Sequence, residues 1–171
     1  MENKIIVIDN FYDNPDSVRE LALAQEFDVK GNFPGRRTKS FLSQEAKDKI
    51  TQILGNITWN NEDGSTGSFQ YTTALERSWI HRDVREWAGV CYLTPNAPLE
   101  SGTILYQDKE IDRPKEVYDL TKFKKDITIG NVYNRLILYK GSLLHKSDTY
   151  FGLEKQEARL FQVFFLGELN A

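Results

Sequence analysis

Cysteine is almost missing from this 171-residue chain: a single thiol, Cys91, excludes an internal disulfide framework and suits a reducing, cytoplasmic setting. Histidine is nearly as scarce, with only His81 and His145. No apolar run approaches the length of a membrane span, and the amino terminus, MENKIIVID, lacks the apolar core and small-residue cleavage site of a signal peptide. Basic excess is absent too. Against 25 Asp and Glu stand 22 Lys and Arg, and the net charge of −3 offers no footprint for long nucleic acid or an anionic membrane. There is no internal repeat and no low-complexity segment. The expectation is a soluble cytoplasmic protein of one domain, residues 1–171, with partners other than nucleic acid and membrane.

What is present divides near residue 66. Before it, KIIVID (4–9) reads as a strand of β-branched residues. Asn14 as cap, Pro15 at the first helical position and Asp16 in the first turn open a helix over about 15–26, with Val18, Leu21, Ala22 and Gln25 at helical spacing. Ser43 caps a second helix, Gln44 to Leu54, whose Ala46, Ile50, Ile53 and Leu54 share a face and which Gly55 ends. Between them KGNFPGRRTKS reads as loop. From 67 onward short stretches rich in Tyr, Phe, Val, Ile and Thr predict strands near 68–75, 78–82, 88–94, 102–107, 127–130, 132–139, 142–147 and 158–166. Eight short strands without helical periodicity between them point to a closed or two-sheet antiparallel fold. The fold class expected is α+β: a helical N-terminal support (1–66) packed on one face of a jelly-roll core (67–171). The charged stretch 107–126 interrupts the strands. It reads as a solvated loop or as a cover over a site, poor in apolar contacts and so mobile without substrate.

The two histidines carry the chemistry. In SWIHRD (78–83), His81 and Asp83 are two apart, so in extended backbone both face one side while Arg82 faces the other. His145 ends the apolar stretch YKGSLLH. Two imidazoles and a carboxylate on one face of an octahedron make the triad that binds Fe(II) and leaves three positions for small molecules. Alone, His-x-Asp is equally the polar lip of a loop. A 2-oxo acid held on such a metal needs a buried cation for its far carboxylate, which arginine's planar fork suits. Arg159, opening RLFQVFF, is the candidate, though it also reads as a cap on the sheet edge, and Arg135 in NRLILY is its rival.

The order His-x-Asp, GVCYLTPN, SGT, distal histidine and late basic residue resembles the 2-oxoglutarate and Fe(II)-dependent dioxygenases, especially their prolyl-4-hydroxylase-like branch. The similarity spans roughly 67–167 and extends more weakly to FYDNP and FPGRR. It implies a double-stranded β-helix core, Fe(II) on His81, Asp83 and His145, and Arg159 on the distal carboxylate of 2-oxoglutarate. It further implies Tyr92 in support of that carboxylate and Tyr71 near the keto acid end, though both also read as aromatic sheet packing. The implied reaction is hydroxylation of an unidentified small molecule or protein side chain, with succinate and CO2 as co-products and ascorbate as a possible auxiliary reductant. Two features depart from the branch: a longer stretch between His145 and Arg159, and Ser101-Gly102 where related sequences have two glycines. In FPGRR, Arg36 and Arg37 are either solvated or lie over the site mouth, steering an anionic substrate. A kinase reading of HRD fails, because no glycine-rich strand precedes it and no metal-binding aspartate stands in YFG. Two other readings stay open: a zinc hydrolase using the same ligands, for which Arg159 has no purpose, and a non-catalytic jelly-roll binding module.

Overall fold

Alternation along three strands decides the architecture. In β4 (Arg85–Tyr92), Ala88, Val90 and Tyr92 join one apolar cluster, whereas Trp87 and Cys91 join another on the opposite face. The same split runs through β7 (Leu136–Lys140), with Ile137 and Tyr139 against Leu136 and Leu138, and through β9 (Arg159–Leu169), with Phe161 and Val163 against Leu160, Phe164 and Leu166. A strand that is apolar on both faces must be covered on both.

The chain in this computed structural model is described over residues 4–59 and 61–170; residues 1–3 and 171, at the ends of the expected domain, and residue 60 lie outside the described residues. The larger sheet has six strands in the order β1-β7-β4-β9-β3-β2, where β1 is Ile5–Ile8, β2 Arg36–Ser40 and β3 Ser68–Thr72. The smaller has three in the order β6-β5-β8, with β5 Thr103–Tyr106, β6 Lys125–Ile129 and β8 His145–Ser147. All named pairings are antiparallel. Leu105 and Ile129 of the small sheet meet the inner face of the large one, as two facing sheets of a jelly roll do.

The outer face of the large sheet shares its cluster with Ala22 of α1 (Pro15–Leu23) and Ala46 and Ile50 of α2 (Gln44–Leu54). Both caps form as their residue types dictate: the Asn14 side chain accepts from the Ser17 N–H at 3.1 Å, and the Ser43 hydroxyl from the Ala46 N–H at 3.1 Å. Among the described residues no helix is long and apolar enough to cross a membrane.

Several expectations need correction. α1 stops at Leu23, three residues early, because the Gln25 amide folds back on the Leu21 carbonyl (2.9 Å). FPGRRTKS is not all loop: 36–40 forms edge strand β2, since β3 offers it a free edge. Residues 78–82 form no strand. The backbone meets separate neighbours in turn: the Ile80 N–H bonds the Val117 carbonyl (3.2 Å), that of His81 the His145 carbonyl (3.0 Å) and, just beyond, that of Asp83 the Gly141 carbonyl (2.8 Å). Finally, 132–135 is a turn before β7. Asn134 has φ +63°, and its side chain takes both backbone groups of Tyr12, accepting from N–H (2.8 Å) and donating to the carbonyl (2.9 Å). The 107–126 stretch holds two short 3-10 turns and the start of β6. It is less solvated than its composition suggests, since Phe123 is buried with Ile80, Ile104 and Leu144, and Ile111 and Val117 pack on them.

Candidate metal centre and its cavity

His81 and His145 face each other across a single antiparallel bridge. Their backbones exchange two hydrogen bonds, each 3.0 Å, so their side chains leave the same face and the rings lie 4.3 Å apart. Asp83, two residues on, returns to that side, tied by its N–H to Gly141 in the turn after β7. Its carboxylate lies 3.2 Å from His145 Nε2 and 3.6 Å from His81 Nε2, and one donor atom from each of the three residues falls within 4.8 Å of the others.

The other ring nitrogens settle which atoms are free. His81 Nδ1 is 3.1 Å from the Trp79 carbonyl and His145 Nδ1 is 2.9 Å from the Leu143 carbonyl. A carbonyl only accepts, so each Nδ1 donates and each Nε2 is the ring nitrogen left to face the triad. Burial, with the like charge of His145 next, pulls the His81 pKa below the usual imidazole value despite Asp83. Burial pushes the Asp83 carboxyl up, but the opposing pull of His145, His81 and Arg37 outweighs it and holds the pKa low. Two imidazoles with Nε2 turned inward and one carboxylate, converging on one point, form a donor set that can hold a divalent metal.

A cavity of about 440 Å³ opens from these three residues toward Arg159, with Thr103, Tyr139, Ser147 and Tyr150 also on its wall. Arg159 opens β9 and is 1% exposed. Its Nε donates to the Ser101 carbonyl at 2.7 Å and its Nη2 to the Gly102 carbonyl at 3.1 Å, while Nη1 is buried with no partner. No carboxylate of the described residues pairs with it. Leaving a buried guanidinium without a counter-ion costs several kcal/mol, so the cavity suits an anion. Tyr92 is wholly buried beside it, with Arg159 5.4 Å from its ring and its hydroxyl 2.7 Å from Thr103 Oγ1, but it stands behind the cavity wall.

Two other expected residues sit elsewhere. Tyr71 packs edge-on against Phe27 at 4.9 Å, among the residues under the helices, because period two turns its neighbour Gln70 toward the cavity instead. Arg135 is satisfied outside the cavity by both Asp9 oxygens (2.6 and 3.0 Å) and the Gly130 carbonyl (3.1 Å). Of the FPGRR pair, Arg37 lines the cavity and Arg36 does not. Sequence reasoning missed Tyr150, whose hydroxyl is buried without a partner, and Tyr139, whose ring is 4.6 Å from that of His145. Tyr139 was accessible from the alternation of β7; Tyr150 lies in an aperiodic loop with no such signal.

No family model matches this sequence, and no curated protein does. Solved structures match by shape. HygX from Streptomyces hygroscopicus, with nickel, 2-oxoglutarate and hygromycin B bound, superposes with a TM-score of 0.68 at 13% identity, over 96% of this chain and 82% of that one. A prolyl hydroxylase from Trichoplax adhaerens, in complex with a hypoxia inducible factor peptide fragment, gives 0.59 at 16% identity over 96% and 84%. SnoN, a non-heme alpha ketoglutarate dependent epimerase from nogalamycin biosynthesis, gives 0.57 at 12% over 97% and 79%. At such identities the likeness is one of fold: the chain has the jelly-roll fold of the 2-oxoglutarate/Fe(II)-dependent oxygenases.

Proposed function

We propose that residues 1–171 form a single 2-oxoglutarate- and Fe(II)-dependent dioxygenase unit, with α1 and α2 buttressing the outer face of its larger sheet. The observation that carries this reading is the unpartnered Nη1 of buried Arg159 in the same cavity as His81, Asp83 and His145. A zinc hydrolase needs the triad but not the guanidinium, and a binding module needs neither.

His81 and His145 would hold the metal through Nε2, with the Trp79 and Leu143 carbonyls fixing each ring, and Asp83 through its carboxylate. Iron with 2-oxoglutarate supplies the oxidising chemistry: one oxygen atom of O2 goes into succinate as CO2 leaves, the other into a C–H bond of the substrate. Arg159 would take the distal carboxylate of 2-oxoglutarate, the Tyr150 hydroxyl would donate a further hydrogen bond to it, and Tyr92 would brace the guanidinium from behind. Tyr139, Phe161 and Val163 would keep the reacting region free of bulk water. The substrate would be a small molecule or a protein side chain rather than long nucleic acid or a membrane, and ascorbate would serve only to keep the metal reduced.

Anaerobic calorimetry with Mn(II) tests this. The wild type is expected to bind one equivalent and then one of 2-oxoglutarate, with His145→Ala losing at least about ten-fold in metal affinity. Unchanged metal binding in His145→Ala, or no 2-oxoglutarate binding by the metal-loaded wild type, overturns the reading.

A further inference from the structure

The cavity is lined as well by Phe33, Pro34, Arg37, Asp63, Gln70 and Arg85. Arg37 is held there from two sides. Its guanidinium carbon lies 3.9 Å over the Phe33 ring, and Gln70 Oε1 accepts from both Nε (2.9 Å) and Nη2 (2.6 Å). Gln70 cannot turn, because its Nε2 donates to the Pro34 carbonyl at 2.7 Å. One edge of the guanidinium is thus spent on an uncharged amide. The other edge, Nη1 with the second N–H of Nη2, has no hydrogen-bond partner among the described residues, and neither Arg37 nor Arg85 forms an ion pair there. Burial pulls the Arg37 pKa down to about 10, with Asp83 and Asp63 opposing, so the group is charged at neutral pH and short of water.

A fixed, half-used guanidinium edge opening on a cavity fits the two oxygens of a carboxylate. With Asp83 committed to the metal, Arg37 and Arg85 carry two positive charges against one negative on Asp63, so a single negative charge brings the count to zero, whereas a dianion such as a phosphate monoester makes it negative. Arg159 lines the same cavity from the start of β9, six residues before Phe165, whose ring lies 5.8 Å from the Arg37 guanidinium, so the cavity carries two separate guanidinium groups beside the triad. At about 440 Å³ the volume is toward the low end for small-molecule sites, with room for two small acids rather than a folded partner. We infer that Arg37 is the specificity-determining residue for the prime substrate, a small monocarboxylic acid whose carboxylate docks on its free Nη1–Nη2 edge, with the carbon chain running toward His81, Asp83 and His145. This rests on the oxygenase reading and names the substrate class for it.

The test uses the Mn(II)-loaded protein with saturating 2-oxoglutarate and a panel of uncharged-side-chain N-acetyl-L-amino acids with their matching amides, followed by calorimetry. At least one acid is expected to bind about ten-fold or more tighter than its amide, the discrimination of a charge-assisted pair. In Arg37→Gln that ratio falls to about one, and in Arg37→Lys it is intermediate. Gln70→Glu, which gives Arg37 an internal carboxylate without altering the arginine, also abolishes it and guards against misfolding of the Arg37 variants. No acid preferred over its amide in the wild type, a preference that survives in Arg37→Gln and Gln70→Glu, displacement of the acid by 2-oxoglutarate, or tighter binding of butyl phosphate than of any acid each overturns the inference. Failure of the oxygenase reading shows separately, as no binding of 2-oxoglutarate before any acid is added.

Discussion

Arg159 is a full positive charge at 1% exposure, given two backbone carbonyls and no anion. Carbonyls spread its charge but do not neutralise it, and Nη1 is left without even that. In the proposed oxygenase the missing anion would be the distal carboxylate of 2-oxoglutarate. Arg159→Ala is therefore expected to weaken 2-oxoglutarate by about 2–5 kcal/mol, roughly 30- to several-thousand-fold, while metal affinity holds. Arg159→Lys should fall between, since lysine brings charge without the fork. Calorimetry on the Mn(II)-loaded variants checks this. Arg135 serves as the internal control: its pairing with Asp9 is partly solvent-exposed, so Arg135→Ala should leave 2-oxoglutarate binding within about two-fold and change stability by no more than about 1 kcal/mol.

At the level of elements, the site is a meeting of ends. Arg159 is the first residue of β9, His145 the first of β8, and Asp83 lies two residues before β4, so each side chain stands on backbone rigidly held on one side. The turn at Ser101-Gly102 links these ends, since its two carbonyls hold Arg159. Gly102 is needed there for space: a Cβ would sit 1.8 Å from the Ile129 carbonyl oxygen of β6. Gly102→Ala should force that turn away from β6, costing about 1–3 kcal/mol of stability as overpacking does, and loosening Arg159 with it. The expected result is a lower denaturation midpoint together with weaker 2-oxoglutarate binding, though the glycine itself touches no ligand. Normal co-substrate affinity in a folded Gly102→Ala would show that the turn does not position the arginine.

For the molecule as a whole, the triad is assembled by sheet pairing rather than by a metal, so removing metal should leave the far-ultraviolet spectrum unchanged. Binding then adds stability by mass action, about 2.7 kcal/mol at a hundred times the dissociation constant. The pH dependence has a definite sign. The folded pKa of His81 lies below its unfolded value near 6.5, so between those values the unfolded chain binds the proton and the folded one does not. Its contribution to metal-free stability is complete above 6.5 and declines as pH falls toward the folded value. Asp83, also depressed, contributes above its ordinary 3.8 and loses that contribution only at still lower pH. Urea denaturation of the metal-free protein from pH 8 to 5 should show stability falling below 6.5, with a flatter profile in His81→Gln.

Some of this was determined by the sequence alone. Period two in extended backbone puts His81 and Asp83 on one side whatever else folds, and the caps at Asn14 and Ser43 start their helices through local hydrogen bonds. The alternation of β4, β7 and β9 likewise carries the two-faced sheet, because a strand's side-chain period is a property of its own backbone. Only the tertiary structure decided which partners those local preferences met. Of β3 only Tyr71 stands out in a one-dimensional reading, yet the fold packs that tyrosine onto the cluster with Ala22, Ala46 and Ile50 and turns its neighbour Gln70 to the cavity. Arg36 and Arg37 look alike in sequence until β2 pairs with β3 and Gln70 takes hold of the second. Arg135 and Arg159 each begin an apolar run, and the difference between a surface ion pair and a buried, half-satisfied charge lies in Asp9, 126 residues from one of them, and in the turn 57 and 58 residues from the other. Such choices depend on contacts between distant parts of the chain, which no local propensity encodes.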